Sequence, residues 1–392
     1  GSVVRLLHTA DVHLGARHHD LGEVASSLRE RQFSSFARSI DVAIEREADV
    51  FLICGDLFDS NAQPRRSVER AAGELHRLAA RGVRSVLIPG THDCYDAASI
   101  YRAFDLPAMA RQKRDSDLVT VLTSTQPDVF FADLDLLVRG FVSDTKTSAQ
   151  SPLQGHDAKA DGRGRFKVGM IHGSLRVEGK VEADDVLFTA QEVAASGLDY
   201  LALGHWHSFR QDRAGQTSWA YSGAPEAVAV DQDGAGRVLL VTLEVKDERT
   251  TVAVEPIAVG RTRFQREDVD VAALDSQDAL VRSLAARADA DVVLDVRLLG
   301  VLPEALDLKT DEVEQQLKPS FFGLRIRNAA VAPLPQGVPP PPDTIAGVFT
   351  RELQTSITAA EVAGAADVAA EQREALHLLR VLLDDPKRVT LV

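Results

Sequence analysis

Asp11-Val12-His13 and His205-Trp206-His207 each set two metal-binding side chains two positions apart. Gly55-Asp56-Leu57-Phe58-Asp59, Gly90-Thr91-His92-Asp93 and Ile171-His172-Gly173 add three further sets between them. At the end of a strand alternate side chains share a direction, so both members of such a pair can reach one ion. The Asp56 carboxylate has two oxygens and could bridge two ions, while Gly55 before it permits a tight turn. Mixed imidazole and carboxylate donors suit Mn²⁺, Fe²⁺ or Zn²⁺ better than Ca²⁺ or Mg²⁺, which prefer oxygen alone. Two such ions about 3.5–4 Å apart would turn water into a nucleophile, hold two phosphate oxygens and offset the charge of an in-line transition state. The leaving oxygen then needs a proton. His92 is placed to give it, or to stabilise the developing charge as an imidazolium, with Asp93 or Asp59 holding the ring in orientation.

These residues need elements to position them. Short apolar runs at residues 3–7, 50–54, 83–88, 168–171 and 200–203 have the length and the Gly or Asp borders of buried strands. Within a few residues of each run's end stands a potential ligand: Asp11 and His13, Asp56, His92 and Asp93, His172, then His205 and His207. An α/β sheet builds a site in this way, because the loops at the carboxyl ends of its strands converge from distant parts of the chain. Phe33, Phe36, Ile40 and Ile44 recur at helical spacing within residues 28–47. After Gly204 the pattern becomes β-rich at 216–221, 237–245 and 251–257, predicting strands that complete a second sheet of the same domain. The fold class expected is α/β, a two-sheet sandwich over residues 1–260.

Residues 261–330 alternate helical and strand patterns and predict a small α+β module without motifs of its own. Residues 331–343 contain APLPQGVPPPPD, a Pro-rich linker expected to be extended and semi-rigid. Over 344–392, Thr344 can cap a helix carrying Ile345, Phe349, Leu353 and Ile357, and a second helix carries Leu376, Leu379, Leu382 and Leu383. A helical pair on such a linker suits a partner-binding segment.

Lys and Arg number 44 against 58 Asp and Glu, a formal net charge of −14, which excludes a protein that grips nucleic acid with its whole surface. A polyanionic substrate must be met locally, and divalent cations held among carboxylates would reverse the sign of the potential there. The short basic clusters Arg65-Arg66, Arg111 with Lys113 and Arg114, and residues 163–167 are the places where a nucleic-acid backbone could be tracked. A solvated charged face accounts for each of them equally well. Cys54 and Cys94 are the only cysteines. They offer no disulfide framework or thiol cluster, pointing to buried packing and a reducing, cytoplasmic setting. No apolar run is long enough to cross a bilayer, and Gly1-Ser2 leads straight into a strand without the marks of a leader.

Asp-x-His, Gly-Asp-x-x-Asp, Gly-x-His-Asp, His-Gly and Gly-His-x-His follow one another in the order found in calcineurin-like metallophosphoesterases, which the chain resembles to about residue 260. Thr9-Ala10-Asp11-Val12-His13-Leu14-Gly15 is similar to the SbcD-type branch of DNA double-strand-break repair nucleases. The layout beyond is similar to that nuclease plan of capping domain, linker and partner-binding helices. The resemblance implies one ion held by Asp11, His13, Asp56 and His207, a second shared by Asp56, His172 and His205, and His92 as the catalytic histidine. It further implies two divalent ions, Mn²⁺ foremost and Fe²⁺ or Zn²⁺ compatible, a DNA exonuclease or endonuclease activity, a homodimer and an SMC-like ATPase partner. The chain has no G-x-x-x-x-G-K-[ST] loop of its own. In the family pattern an Asn carbonyl binds the second ion where this chain has Thr91. A Thr hydroxyl is a weaker neutral ligand, so two unequal affinities are expected. Two other functions fit the same motifs: a phosphodiesterase acting on cyclic nucleotides or other small phosphoesters, and a catalytically weak scaffold that binds nucleic acid.

Overall fold

A computed structural model describes residues 2–111, 118–145, 150–176, 186–332 and 339–384. The chain divides into two compact units, Gly1–Thr262 and Arg263–Val392.

Along the first unit come β1 (Val3–Thr9), α1 (Val24–Glu45), β2 (Val50–Cys54), α2 (Arg65–Ala79), β3 (Arg84–Ile88), α3 (Ile100–Ala103), α4 (Leu106–Ala110) and β4 (Val119–Val121). They are followed by β5 (Asp128–Phe131), β6 (Leu136–Gly140), β7 (Phe166–His172), β8 (Ser174–Leu175), β9 (Leu187–Phe188), α5 (Ala190–Ala195) and β10 (Tyr200–Gly204). The unit ends with β11 (Arg210–Ala214), β12 (Thr217–Tyr221), β13 (Arg237–Lys246) and β14 (Arg249–Ala258). Two six-stranded sheets result, ordered β14-β13-β1-β2-β3-β4 and β11-β12-β10-β7-β6-β5.

The sequence of β2 explains the layering. All five of its residues are buried, yet they serve two cores. Val50, Leu52 and Cys54 face the second sheet with Leu6, Met170 and Ala202, whereas Phe51 and Ile53 face Phe36 and Ile40 of α1 and Leu75 and Leu78 of α2. A strand covered on both sides reads as an unbroken apolar run. In β10, Tyr200 and Ala202 join the layer between the sheets, while Leu201 and Leu203 pack outward with Val193 of α5 and Trp219.

One sequence expectation fails. The strands β13 and β14 do not complete the second sheet; β13 runs antiparallel to β1, with Leu6 opposite Val241, and so extends the first. Leu6 and Leu7 are wholly buried on opposite faces of β1, which makes β1 an interior strand needing a partner on each edge. The parallel strand β2 supplies one edge and β13 the other.

The second unit begins with β15 (Arg263–Asp270), α6 (Gln277–Ala285), β16 (Asp289–Leu299), α7 (Thr310–Leu317) and β17 (Phe321–Asn328). Its three strands are all parallel in the order β15-β16-β17, a regular strand–helix alternation. Val292, Leu294, Val296 and Leu298 pack under Leu280 and Leu284 of α6 and Val313 and Leu317 of α7. The opposite face of the sheet is charged. Residues 333–338 of the Pro-rich stretch lie outside the described residues, as do Lys113 and Arg114. Thr344 caps α8 (Ile345–Val362) by accepting the Gly347 N–H at 3.0 Å, and α9 (Ala366–Asp384) packs beside α8, with Gln372 donating to Ser356 at 2.6 Å. This pair leaves Ile345 90%, Phe349 52% and Leu383 50% exposed.

Candidate metal centre

The carboxyl ends of β1, β2, β7 and β10 meet at one place. Asp11 and His13 lie beyond β1, and their convergence does not come from strand alternation, because both have left-handed backbone, with φ of 55° and 51°. Asp56 at 54° and His205 at 112° share this feature. Such conformations cost non-glycine residues on the order of 1–3 kcal/mol each and persist where surroundings impose them. Here the loops after β1 and β2 are laced together: the N–H groups of Asp11, His13 and Leu14 donate to the carbonyls of Gly55, Asp56 and Leu57 at 3.1, 2.9 and 2.9 Å. Close approach explains the motif glycines. A Cβ on Gly90 would stand 2.3 Å from Asp56 Oδ1, and one on Gly204 would stand 2.0 Å from the Cys54 carbonyl oxygen.

Three sets of ligand atoms come together: Asp11, His13 and His207; Asp11, Asp56 and His172; and His13, Asp56 and His92. Asp56 belongs to the last two, and its Oδ2 lies 3.1 Å from His172 Nε2 and 3.6 Å from His13 Nε2. Asp11 Oδ1 lies 4.0 Å from His13 Nε2 and 3.9 Å from His207 Nε2. The two histidines of Gly-His-x-His diverge: His207 turns to Asp11 and His13, while the His205 ring lies 5.3 Å from that of His172. His205 N–H donates to Asp11 Oδ2 at 3.0 Å. Thr91 is half-buried between Gly90, whose N–H donates to Asp93, and His92, whose N–H donates to Asp56 Oδ1.

Each ring is set by its other nitrogen. His172 Nδ1 bonds the Cys54 carbonyl at 2.9 Å, His13 Nδ1 the Asp59 carboxylate at 3.1 Å, and His92 Nδ1 the Asp59 carbonyl at 3.0 Å. This leaves Nε2 of each available, the usual way in which an outer partner fixes a ligand's tautomer. Of the two residues expected to hold the His92 ring, Asp59 is the one in contact with it. Asp59 orients His92 through its backbone and His13 through its carboxylate. Asp93 does not hold the His92 ring; wholly buried, it accepts the N–H groups of Asp56, Phe58 and Gly90 and the Tyr101 hydroxyl, tying the two loops together.

The electrostatics are those of a cation site. Burial works to strip His172 of its proton, but the negative charges of Asp56 and Asp11 outweigh it and push its pKa up to about 10. Burial likewise opposes charge on His13, and its bond to Asp59 with the charges of Asp56 and Asp11 leaves it raised. For Asp56 burial favours the neutral acid, yet His172 and His13 hold the carboxyl below the ordinary range. Asp11 Oδ1, His13 Nε2 and His172 Nε2 are buried without hydrogen-bond partners. Buried polar atoms normally find partners. Three that fail to do so within one cluster are what divalent metal ions would satisfy, and the imidazole and carboxylate donors fit such ions.

Residues 4–209, more than half of the chain, match the family model of calcineurin-like phosphoesterases. The chain belongs to this family. Among curated relatives this calcineurin-like phosphoesterase is 28% identical over 275 residues to the DNA double-strand break repair protein Mre11 of Aeropyrum pernix, covering 68% of this chain and 64% of the relative. It is 26% identical over 216 residues to the Mre11 of Sulfurisphaera tokodaii, covering 53% and 50%. It is also 24% identical over 237 residues to the uncharacterized metallophosphoesterase YhaO of Bacillus subtilis, covering 58% and 54%. The matches thus span about half to two thirds of the length of these relatives.

The basic clusters of this phosphoesterase are less free than their sequence suggests. Arg65 and Arg66 open α2 rather than occupying a loop, and Arg65 pairs with Glu69 at 3.0 Å. Arg163 pairs with Asp161 and Asp128, Lys167 donates to two backbone carbonyls, and Arg111 donates to the Pro107 carbonyl. Arg66 lines a groove of about 290 Å³ with Arg29, Arg70 and Leu14, next in sequence to His13. Sequence reasoning missed two orienting residues: Tyr101, and Gln232, whose amide lies 2.6 Å from His207 Nδ1. Neither sits in a motif.

Proposed function

We propose that this chain is a metal-dependent nuclease that hydrolyses phosphodiester bonds of DNA in repair. The observation that carries the proposal is Asp56 Oδ2 lying within 3.6 Å of both His13 and His172, one carboxylate oxygen common to two ligand sets. Asp11, His13, Asp56 and His207 would hold one divalent ion, and Asp56, His172 and His205, with Thr91 or water, a second. Ions bound there supply a nucleophile from water at neutral pH and counter-charge for a transferring phosphate. The protein's own share is orientation and proton supply. His92 is exposed at the rim, and its Nδ1 is engaged with the Asp59 carbonyl, so Nε2 can donate to a leaving oxygen only from the imidazolium form. Arg66 and Arg29 in the neighbouring groove, where Arg70 is already paired with Glu30, would meet backbone phosphates locally in an otherwise acidic chain. The relatives named for DNA double-strand break repair support DNA as substrate; Mn²⁺ as the metal, a homodimer, a cytoplasmic setting and an SMC-like ATPase partner are what the motif resemblance implies. The exposed apolar residues of α8 and α9 suit the docking of that partner, and unchanged binding after truncation at Pro333 would exclude it.

A second function, turnover of small phosphoesters, is favoured by the net charge of −14 and by the internal pairing of Arg65 and Arg163. Incubating end-labelled single- and double-stranded DNA with Mn²⁺ separates the two. The wild type degrades DNA, and His92→Ala lowers turnover by about 10²–10⁴ with metal affinity little changed. Intact DNA alongside rapid hydrolysis of bis-p-nitrophenyl phosphate would support the small-molecule enzyme. Titration with Mn²⁺ should give two unequal affinities that Thr91→Asn brings closer together; two equally tight sites in the wild type would refute the weaker-ligand role of Thr91.

A further inference from the structure

The layer between the two sheets of the first unit is built mainly from apolar side chains. His8, inward-facing between Val4, Leu6 and Ala10 on β1, is wholly buried and is flanked in its own sheet by Leu52 and Leu239. Its Nδ1 lies 2.7 Å from the Tyr200 hydroxyl and its Nε2 lies 3.0 Å from the Leu203 carbonyl. Both partners belong to β10 of the opposite sheet. The carbonyl can only accept, so Nε2 donates and Nδ1 accepts the Tyr200 hydroxyl proton. Burial keeps the ring neutral, lowering its pKa to about 3, and the donor and acceptor pattern is thereby fixed.

The placement matters because β1 leads into Asp11 and His13, and β10 leads into His205 and His207. Apolar contact between two sheet faces is non-directional and does not by itself fix their sliding position. A fully satisfied buried polar network does, since shifting it would leave donors and acceptors unpaired at a cost in free energy. Ligand sets drawn from both sheets must hold their geometry within about half an ångström.

We propose that His8 and Tyr200 are positioning residues, a cross-sheet lock that sets the register of the two strands whose ends carry the metal ligands. The proposal rests on the metal-centre reading above. Its test is Co²⁺ titration of the full chain, following visible absorption as a report of ligand geometry, with melting of the metal-free protein as a control. In His8→Phe, which fills the space but removes both bonds, affinity falls roughly tenfold, the low end of what partners outside the ligand set contribute, and the spectrum changes. Tyr200→Phe gives a smaller loss in the same direction. His8→Gln, whose amide can donate to the Leu203 carbonyl, recovers most of what His8→Phe loses. Wild-type affinity and spectrum in both phenylalanine variants, with only the melting temperature lowered, would overturn the lock. Should His8→Phe not fold, Tyr200→Phe alone decides by the same two readouts. A wild-type chain that takes up no Co²⁺ would overturn the metal-centre reading itself.

Discussion

Aspartates occur in two opposite settings in this chain. Asp11 and Asp56 are 1% and 2% exposed, crowded by histidines, and surrounded by donor atoms without partners. Asp268 and Asp295, on the charged sheet face of the second unit, meet arginines instead: Asp268 bonds Arg297 through two contacts of 2.8 Å, and Asp295 pairs with Arg327 at 2.7 Å. In the second setting the Asp268 charge is already matched in an accessible ion pair and little depends on it, while Asp295 is mostly buried and leaves only its Oδ1 without a partner. In the first the charges are concentrated, buried and matched only by protons that a metal would displace. The lesson is that a count of charges says less about function than whether each has a partner that leaves it inert.

The largest test removes the shared ligand. Asp56→Asn should abolish the two-ion arrangement and reduce phosphodiesterase activity by more than roughly a hundredfold, beyond the loss typical of outer-shell partners. Activity within tenfold of wild type would break the contrast between the two sets. A smaller effect probes the buried polar groups through pH. His8 has a folded pKa of about 3 against an ordinary 6.5, so between these values the unfolded chain holds a proton that the folded chain lacks. Its stabilising contribution is therefore complete above 6.5 and is lost as pH falls toward 3, with a slope of up to about 1.4 kcal/mol per pH unit. His172 acts in the other window: in the metal-free protein its raised pKa stabilises fully below 6.5, and that contribution is lost as pH rises through about 10. Urea unfolding from pH 4 to 7 should show a shallower acid limb for His8→Phe than for wild type; parallel limbs would contradict a neutral buried ring. Smallest of all, Arg297→Ala should leave the unfolding midpoint unchanged, because exposed ion pairs contribute little. A clear drop would mean that the sheet face of the second unit is less inert than the comparison holds.

The clustering of the candidate ligands was legible in the sequence because the chemistry demands particular residues at fixed offsets: histidine and aspartate as donors, and glycine where Asp56 and the Cys54 carbonyl approach. Their local backbone was not, since the left-handed turns at Asp11 and His13 arise from bonds to residues 55–57, which no short pattern reveals. Strands were visible from periodicity but their neighbours were not. Residues 237–246 look equally suited to either sheet until the double burial of β1 demands a second partner. Orienting groups were least accessible. His8 meets Tyr200 across 192 positions of sequence, and Gln232 lies in a turn that offers only the appearance of a loop.

The pairing of β1 with β13 also has a consequence for synthesis. The strand that introduces Asp11 leaves the ribosome well before residues 237–246, and its outer edge stays open until they have emerged. At a translation rate of about 5–20 residues per second this leaves an apolar strand edge exposed for many seconds, a period in which nascent chains are prone to wrong pairings. Assembly of the candidate metal centre thus falls late in folding, after both His207 and β13 are available. Nascent fragments ending before Arg237 should be the species that most need chaperones.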